Sequence, residues 1–427
     1  MKNKNHFNKP GYSPTRRSML SFLGMLPFAP GMLSNAGINQ YSGSEGLLTD
    51  TELPAEKMFD IKEIFLNAAY THPMSIGSAQ RVKNYLDARL TNGKVVDTID
   101  DDRNTARQLF AQLINADADE ISWVPSTMVG ENLIVSGLGL PGTKARIVTD
   151  AYHFDGSLYL YNELAKQGAD VKLILPKNNK IDLAEMDAAI TPGTRLVAVS
   201  LVSMINGFQH DLKAVCDIAH TRGVLVYADI IQAAGAVPID VHAIGVDFCA
   251  CATYKWLMGD FGAGFLYVRK DRLPLLKRSQ FGYRQLKDMQ SHILPFDAAG
   301  SVPFEFTQGD KTRNFFEVGT LGNAAVPALI FSLNYLLNTG IDKIQNYRQP
   351  LIDKLQQELT KLGYQPMTPA ESTAPIVSFA MQGAEKKLGK KLLDAGINIQ
   401  VYENRFRISP SVYNAMDDID KLIEVLG

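Results

Sequence analysis

The chain has 427 residues, 46% of them apolar and 21% charged, with a formal net charge of -2. That length allows two or three domains with sizeable cores, and the composition is that of an ordinary globular protein rather than a collagenous, disordered or membrane-embedded one. Near-neutrality gives no long-range attraction to nucleic acid or to an anionic membrane, and three cysteines do not make a disulfide framework.

At the amino end, Thr15-Arg16-Arg17-Ser18-Met19-Leu20 leads into an apolar run that closes on Ser34-Asn35-Ala36. An arginine pair, a short apolar stretch and small residues over 1–36 look like a twin-arginine export signal. Pro27, Pro30 and Gly31 interrupt the run, which is too short for a spanning helix. The expectation is a periplasmic or otherwise exported protein, cytoplasmic if the signal is not used. Residues 37–57 are polar and suit a flexible linker, so structure is expected from about Met58.

Residues 106–114 read as a helix and 121–124 as the first core strand. Pro125-Ser126-Thr127-Met128-Val129-Gly130 then opens a helix to about Gly137. A helix start offers unpaired N–H groups and the positive end of a dipole, so Ser126 and Thr127 are candidate phosphate ligands; the plain alternative is that one of them only caps the helix. Strands follow at 145–148, 171–175 and 196–200, with helices near 158–167, 183–190 and 212–221. Alternation of this kind predicts a mainly parallel sheet covered on both faces.

The stretch 224–268 organises the rest. Val224 to Tyr227 is an apolar, β-branched run ending in Ala228 and Asp229, which reads as a buried strand presenting a carboxylate at the sheet edge where α/β folds bind ligands. Gln232 follows, then a second apolar run at 246–251, then Thr253-Tyr254-Lys255-Trp256. Cys249 and Cys251 are two apart in that strand and so share a face, where they pack as small apolar side chains. Gly259, Gly262 and Gly264 turn the chain into a last strand, 265–268, placed to run antiparallel and bringing the strand count to seven. A lysine facing a buried aspartate across strand ends suits pyridoxal phosphate: the amine must lose its proton to join the cofactor, and the carboxylate keeps the cofactor's ring nitrogen protonated. No grouping of Cys and His has metal-ligand spacing, and no metal site is predicted.

Beyond Arg269 strict alternation is lost, and 292–302 reads as a loop. Arg313-Asn314-Phe315-Phe316-Glu317-Val318-Gly319-Thr320 precedes a helix at 324–337. A helix at 350–362, a strand at 376–380 and a helix at 385–395 then build a smaller α+β region that ends with Arg405-Phe406-Arg407-Ile408-Ser409-Pro410. The domain expectation is a large domain over 58–305, including an N-terminal arm, and a small one over 306–427.

In the order and spacing of Asp229, Gln232 and Lys255, the chain resembles the class V aminotransferases among the fold-type I pyridoxal phosphate enzymes, from about Phe59 to the C-terminus. That family includes cysteine desulfurases, kynureninase and isopenicillin N epimerase. The resemblance implies that Lys255 is the Schiff-base lysine, Asp229 the ring-nitrogen partner and Gln232 a donor to the cofactor's phenolic oxygen. It places the phosphate turn at Ser126 and Thr127, with Tyr254 a further donor, and puts His153 at the position that stacks on the cofactor ring, Tyr152 being the alternative. Thr320 matches a threonine that reaches the phosphate of the partner subunit, which implies a homodimer. Arg407 matches the arginine that grips the substrate carboxylate, with Arg405 competing. The family's N-terminal segment enters the active-site mouth, so Asn67, Tyr70 and His72 are candidate substrate contacts; a locally satisfied turn before Pro73 is the plain alternative.

Two departures bear on the reaction. Met204 stands where desulfurases carry an asparagine, which leaves open whether Asn206 replaces it, and 392–406 has no cysteine where desulfurases keep a nucleophilic one. The expectation is an enzyme acting at the α-carbon of an amino acid, an aminotransferase or a relative of isopenicillin N epimerase, and not a persulfide-forming desulfurase. The alternatives are β-elimination or cleavage in the manner of selenocysteine lyase or kynureninase, or a non-catalytic binding protein of the same fold.

Overall fold

The computed structural model describes residues 51–91 and 99–427. The expected export signal lies outside the described residues, as does most of the linker.

Seven strands form the central sheet. In chain order they are β1 Ile121–Val124, β2 Arg146–Asp150, β3 Asp170–Ile174, β4 Thr194–Ser200, β5 Leu225–Asp229, β6 Phe248–Ala252 and β7 Gly264–Val268. Their spatial order is β1-β7-β6-β5-β4-β2-β3. Neighbours among β2 to β6 run parallel, and β7 is antiparallel to both β6 and β1, as its short approach through Gly262 requires. The expected sheet and its reversed last strand are therefore both present.

Alternation along the strands divides the core into two layers. Val197, Val199, Cys249 and Cys251 join one face, under the helices Ile99–Leu113, Leu212–His220 and Ala325–Thr339. Leu196, Ala198, Phe248 and Ala250 join the other, under Thr127–Gly137 and Asp155–Lys166. The two strand cysteines share a face as expected. β3 lies at the sheet edge and leaves Leu173 exposed.

Two elements differ from expectation. The loop at 292–302 is the tip of a hairpin, β8 Leu286–Ser291 paired antiparallel with β9 Phe304–Gln308. Its strands pair with each other and bury almost nothing, so they carry no core-facing alternation to read. The helix expected at 350 begins at Ile341 and runs to Lys361 with Pro350 inside it. Its buried stripe of Ile344, Arg348, Leu351, Ile352 and Leu355 spans the proline, and this packing offsets the one lost backbone bond.

Residues 351–426 build a third core around an antiparallel sheet in the order β10 Gln365–Pro366, β11 Val377–Ala380, β13 Arg405–Ile408 and β12 Gln400–Tyr402. The N-terminal arm is laced to this unit: Ile64 and Phe65 pair with Ile397 and Asn398, and Leu66 enters the third core. Residues 325–336 pack in the first core instead.

Candidate active site

β5 ends between the carboxyl ends of β4 and β6, and β13 reaches the loop after β4 through Arg405 and Arg407. Asp229 closes β5, and its Oδ1 accepts the Ile231 N–H at 2.9 Å. Lys255 sits on the loop after β6, against Trp256, whose indole N–H donates to Gln232 Oε1 at 2.9 Å. Gly235 makes the close packing of this loop possible: its φ is +91°, and a Cβ there would lie 2.3 Å from the Trp256 carbonyl oxygen. Behind the indole, Arg348 is wholly buried and donates to the Ala236 carbonyl at 2.8 Å.

Burial drives both charges of the pair toward neutrality. The Lys255 amine falls from its ordinary 10.5 to about 8, mainly through desolvation, with Asp229 opposing and Arg407 adding to the fall. The Asp229 carboxyl rises to about 6, again mainly through desolvation, with Glu131 adding to the rise and the Ile231 N–H, His153 and Lys255 acting against it. Lys255 is thus within electrostatic reach of both Asp229 and Arg407.

Arg407 is 2% exposed on β13. Its Nη1 donates to the Met204 carbonyl at 2.9 Å, and its Nε, though buried, has no partner. Arg405 points elsewhere, lying over the Tyr402 ring at 3.8 Å and donating to the Ile205 carbonyl. Asn206 is committed to backbone groups: its amide donates to the carbonyls of Asn179 and Met367, and its Oδ1 accepts the Phe208 N–H. It therefore does not stand in for the missing asparagine.

The helix Thr127–Gly137 starts beside β6, where Gly130 lets it approach so closely that a Cβ would be 2.9 Å from the Ala250 Cβ. Ser126 caps this helix through Val129 N–H at 3.2 Å. Thr127 Oγ1 accepts the Ala252 N–H at 2.9 Å, which leaves the hydroxyl proton to donate. Gln232 Nε2 donates to the Ala69 carbonyl at 3.0 Å, leaving its second amide proton. Tyr254 stacks on Phe261 at 4.6 Å, with the Lys255 amine 5.7 Å from its ring centroid.

Two expected roles are corrected. His153 has no exposed surface and both ring nitrogens are engaged, Nδ1 with Ser200 Oγ at 2.8 Å and Nε2 with Glu131 Oε1 at 3.1 Å. It has no surface open for stacking, which leaves Tyr152, 7% exposed, as the remaining candidate. His72 is likewise buried, held by the Pro73 carbonyl and Ser411 Oγ, and desolvation lowers it to about 4, so it is a neutral packing residue and not a substrate contact. Asn67 is buried against Asn398 with its Oδ1 unpartnered, whereas Tyr70 is exposed and within electrostatic reach of Tyr254. Thr320 is exposed and shares a hydrogen bond with the Tyr283 hydroxyl.

The sequence reading missed Glu131, which holds His153, Ser157 and Tyr161. One signal was present: Glu131 shares a helical stripe with Thr127, Ile134 and Val135, so an acid falls on the buried face.

The family model for class V aminotransferases matches residues 92–422. The chain belongs to the class V aminotransferase family. Among curated class V relatives are a probable cysteine desulfurase of Methanothermobacter thermautotrophicus, 28% identical over 303 residues (69% of this chain, 71% of that protein), and the uncharacterized aminotransferase YcbU of Bacillus subtilis, 27% identical over 365 residues (84% and 91%). Solved structures share the fold. A cysteine desulfurase from Thermococcus onnurineus NA1 matches with a TM-score of 0.76 at 21% identity, covering 88% of this chain and 96% of that one. A C-DES mutant with glycine covalently linked to its PLP cofactor matches at 0.77 and 19%, covering 87% and 98%. The fold is that of the fold-type I enzymes, and the cofactor of the class V family is pyridoxal phosphate. The residues present fit it: a buried amine of lowered pKa, a buried carboxylate across from it, and a helix start with a spare hydroxyl proton.

Proposed function

We propose that this chain is an enzyme acting at the α-carbon of an amino acid, by transamination or epimerisation, with Lys255 as the residue that carries pyridoxal phosphate and then moves the α-proton. The observation that carries this reading is the buried guanidinium of Arg407, with an unpartnered Nε, within electrostatic reach of Lys255. When bound, the cofactor supplies a sink for the electron pair left at the α-carbon.

Each remaining task falls to a named side chain. Arg407 takes the substrate carboxylate and so fixes which α-carbon bond stands perpendicular to the ring. Asp229 holds a proton on the ring nitrogen. Lys255, with a pKa near 8, takes a proton from carbon at neutral pH and returns it to the same or another position. Thr127, with Ser126 and the helix start, holds the phosphate; Tyr254 adds a donor, Gln232 gives its second amide proton to the phenolic oxygen, and Tyr152 covers the ring. Asn67 and Tyr70 line the entrance.

The same reading includes a homodimer in which Thr320 reaches the partner subunit's phosphate. Exposure of Thr320 supports it, as do the apolar side chains Met289, Ile293, Leu294, Phe296, Phe304 and Phe306 on the β8–β9 hairpin. Export through the twin-arginine segment belongs to the proposal as well, and cell fractionation tests it.

Persulfide formation is disfavoured although several relatives are named cysteine desulfurases. Residues 392–406 hold no cysteine, and Cys216, Cys249 and Cys251 are all buried, with burial pushing Cys216 up to about 12. The buried cysteines leave one second reading, elimination from the β-carbon without an enzymic thiol. Incubation with an amino-acid panel in deuterated water separates the cases. Solvent deuterium at the α-carbon with a pyridoxamine product supports transamination, and inverted substrate with retained cofactor supports epimerisation. A keto acid with a released side chain overturns both in favour of elimination.

A further inference from the structure

Behind Asp229 lies a second pair of opposite charges that the proposed chemistry does not use. Glu131 projects from the buried face of Thr127–Gly137 and has no solvent exposure. Its Oε1 accepts the Tyr161 hydroxyl at 2.6 Å and faces His153 Nε2 at 3.1 Å, while its Oε2 accepts the Ser157 hydroxyl at 2.6 Å. His153 spans from this carboxylate to Ser200 Oγ at 2.8 Å. Ser200 closes β4 and is the direct register partner of Asp229 at the end of β5.

Nε2 of His153 faces a carboxylate that only accepts, and Nδ1 faces a hydroxyl that accepts or donates, so the surroundings accommodate a ring protonated on both nitrogens. Burial alone would lower its pKa, but Glu131, aided by Asp229 and Asp150, raises it instead. Burial alone would likewise raise Glu131, but His153, Ser157 and Tyr161 lower it. Buried ion pairs of this kind are seldom worth more to stability than an apolar pair of the same shape, so stability is a weak reason for this one.

We propose that Glu131 and His153 are positioning residues, a buried ion pair whose imidazolium keeps the Asp229 carboxylate ionised and in place for the cofactor's ring nitrogen. The inference rests on the cofactor site proposed above. The other groups facing Asp229 are Lys255 from the loop after β6, Cys249 and Cys251 on β6, Tyr227 on β5, and Tyr254. Cysteine and tyrosine are neutral in this setting, and Lys255 is neutral whenever it acts as a base. His153 is then the cation that opposes the burial of Asp229, and Glu131 is what keeps it a cation. Asp150 is itself engaged by His210 at 3.1 Å.

The test uses the holoenzyme, with borohydride trapping at Lys255 established first on the wild type. The absorbance of the bound cofactor is followed against pH in wild type, Glu131→Gln and Tyr161→Phe. Loss of the Glu131 charge moves the acid-side midpoint up, by less than about one pH unit, because the His153 attraction it removes outweighs the direct Glu131 repulsion it relieves. Tyr161→Phe removes a donor but no charge, so it melts lower with an unmoved midpoint. Independently of the cofactor, one of the seven histidines, labelled with nitrogen-15, stays doubly protonated above the ordinary histidine range in wild type and not in Glu131→Gln. No label at Lys255 overturns the cofactor site and this inference together. Label at Lys255 with an unmoved Glu131→Gln midpoint, or with every histidine titrating normally, overturns this inference alone.

Discussion

Replacing Lys255 by methionine stabilises the cofactor-free protein at neutral pH and does so less as pH rises. The amine falls from its ordinary 10.5 to about 8 because its site excludes water. At about 1.4 kcal/mol per pH unit, keeping it charged in the folded state costs about 3 kcal/mol. Below pH 8 both folded and unfolded chains carry the charge, and the folded state bears the full cost. Between about 8 and 10.5 the unfolded chain binds more protons than the folded one, so wild-type stability climbs with pH; above 10.5 both amines are neutral and the cost is gone. Methionine fills a similar volume without the charge. Urea unfolding of the two cofactor-free proteins, followed by tryptophan fluorescence, is expected to favour the variant by about 3 kcal/mol at pH 7 and by under about 1 kcal/mol at pH 10. Any difference in packing is the same at both pH values and drops out of the comparison. An advantage equal at pH 7 and 10 refutes a desolvated lysine.

Further outcomes follow from the same geometry. Arg407→Ala weakens binding of an amino-acid substrate by about a hundredfold or more, read by titrating the bound cofactor's absorbance, since truncating a buried charged partner costs about 2–5 kcal/mol. Arg405→Ala stays within about threefold, because Arg405 is spent on Tyr402 and Ile205; the reverse ranking would reassign the carboxylate site. Away from the site, Glu317→Gln lowers stability by about 3 kcal/mol in a thermal melt, because it strands the buried Arg107 that Glu317 meets at 2.8 Å and weakens its bond to Trp123 N–H. A loss under about 1 kcal/mol would show that pair to be hydrated.

The sheet was readable because each strand is a short β-branched or small apolar run bounded by turn residues, and both of its faces are buried. Asp229, Gln232 and Lys255 were readable together because strand ends place them on one edge. Side-chain direction within turns was not readable. His153 lies in a turn with no period to say which way it points, so the resemblance alone ranked it above Tyr152 and nothing local could check that order. His72 failed for the same reason, since Ser411, which satisfies it, lies 339 residues away. The β8–β9 hairpin escaped because its strands face solvent on both sides. Glu131 was missed because an acid in an apolar helix reads as a surface residue until its three partners, from two other elements, are brought in.

The most direct measurement is reduction of the purified holoenzyme with borohydride, followed by proteolysis and mapping of the pyridoxyl label. The account predicts one labelled peptide, carrying the modification on Lys255, and loss of the label in Lys255→Met. A label on any other lysine, or none at all, contradicts it.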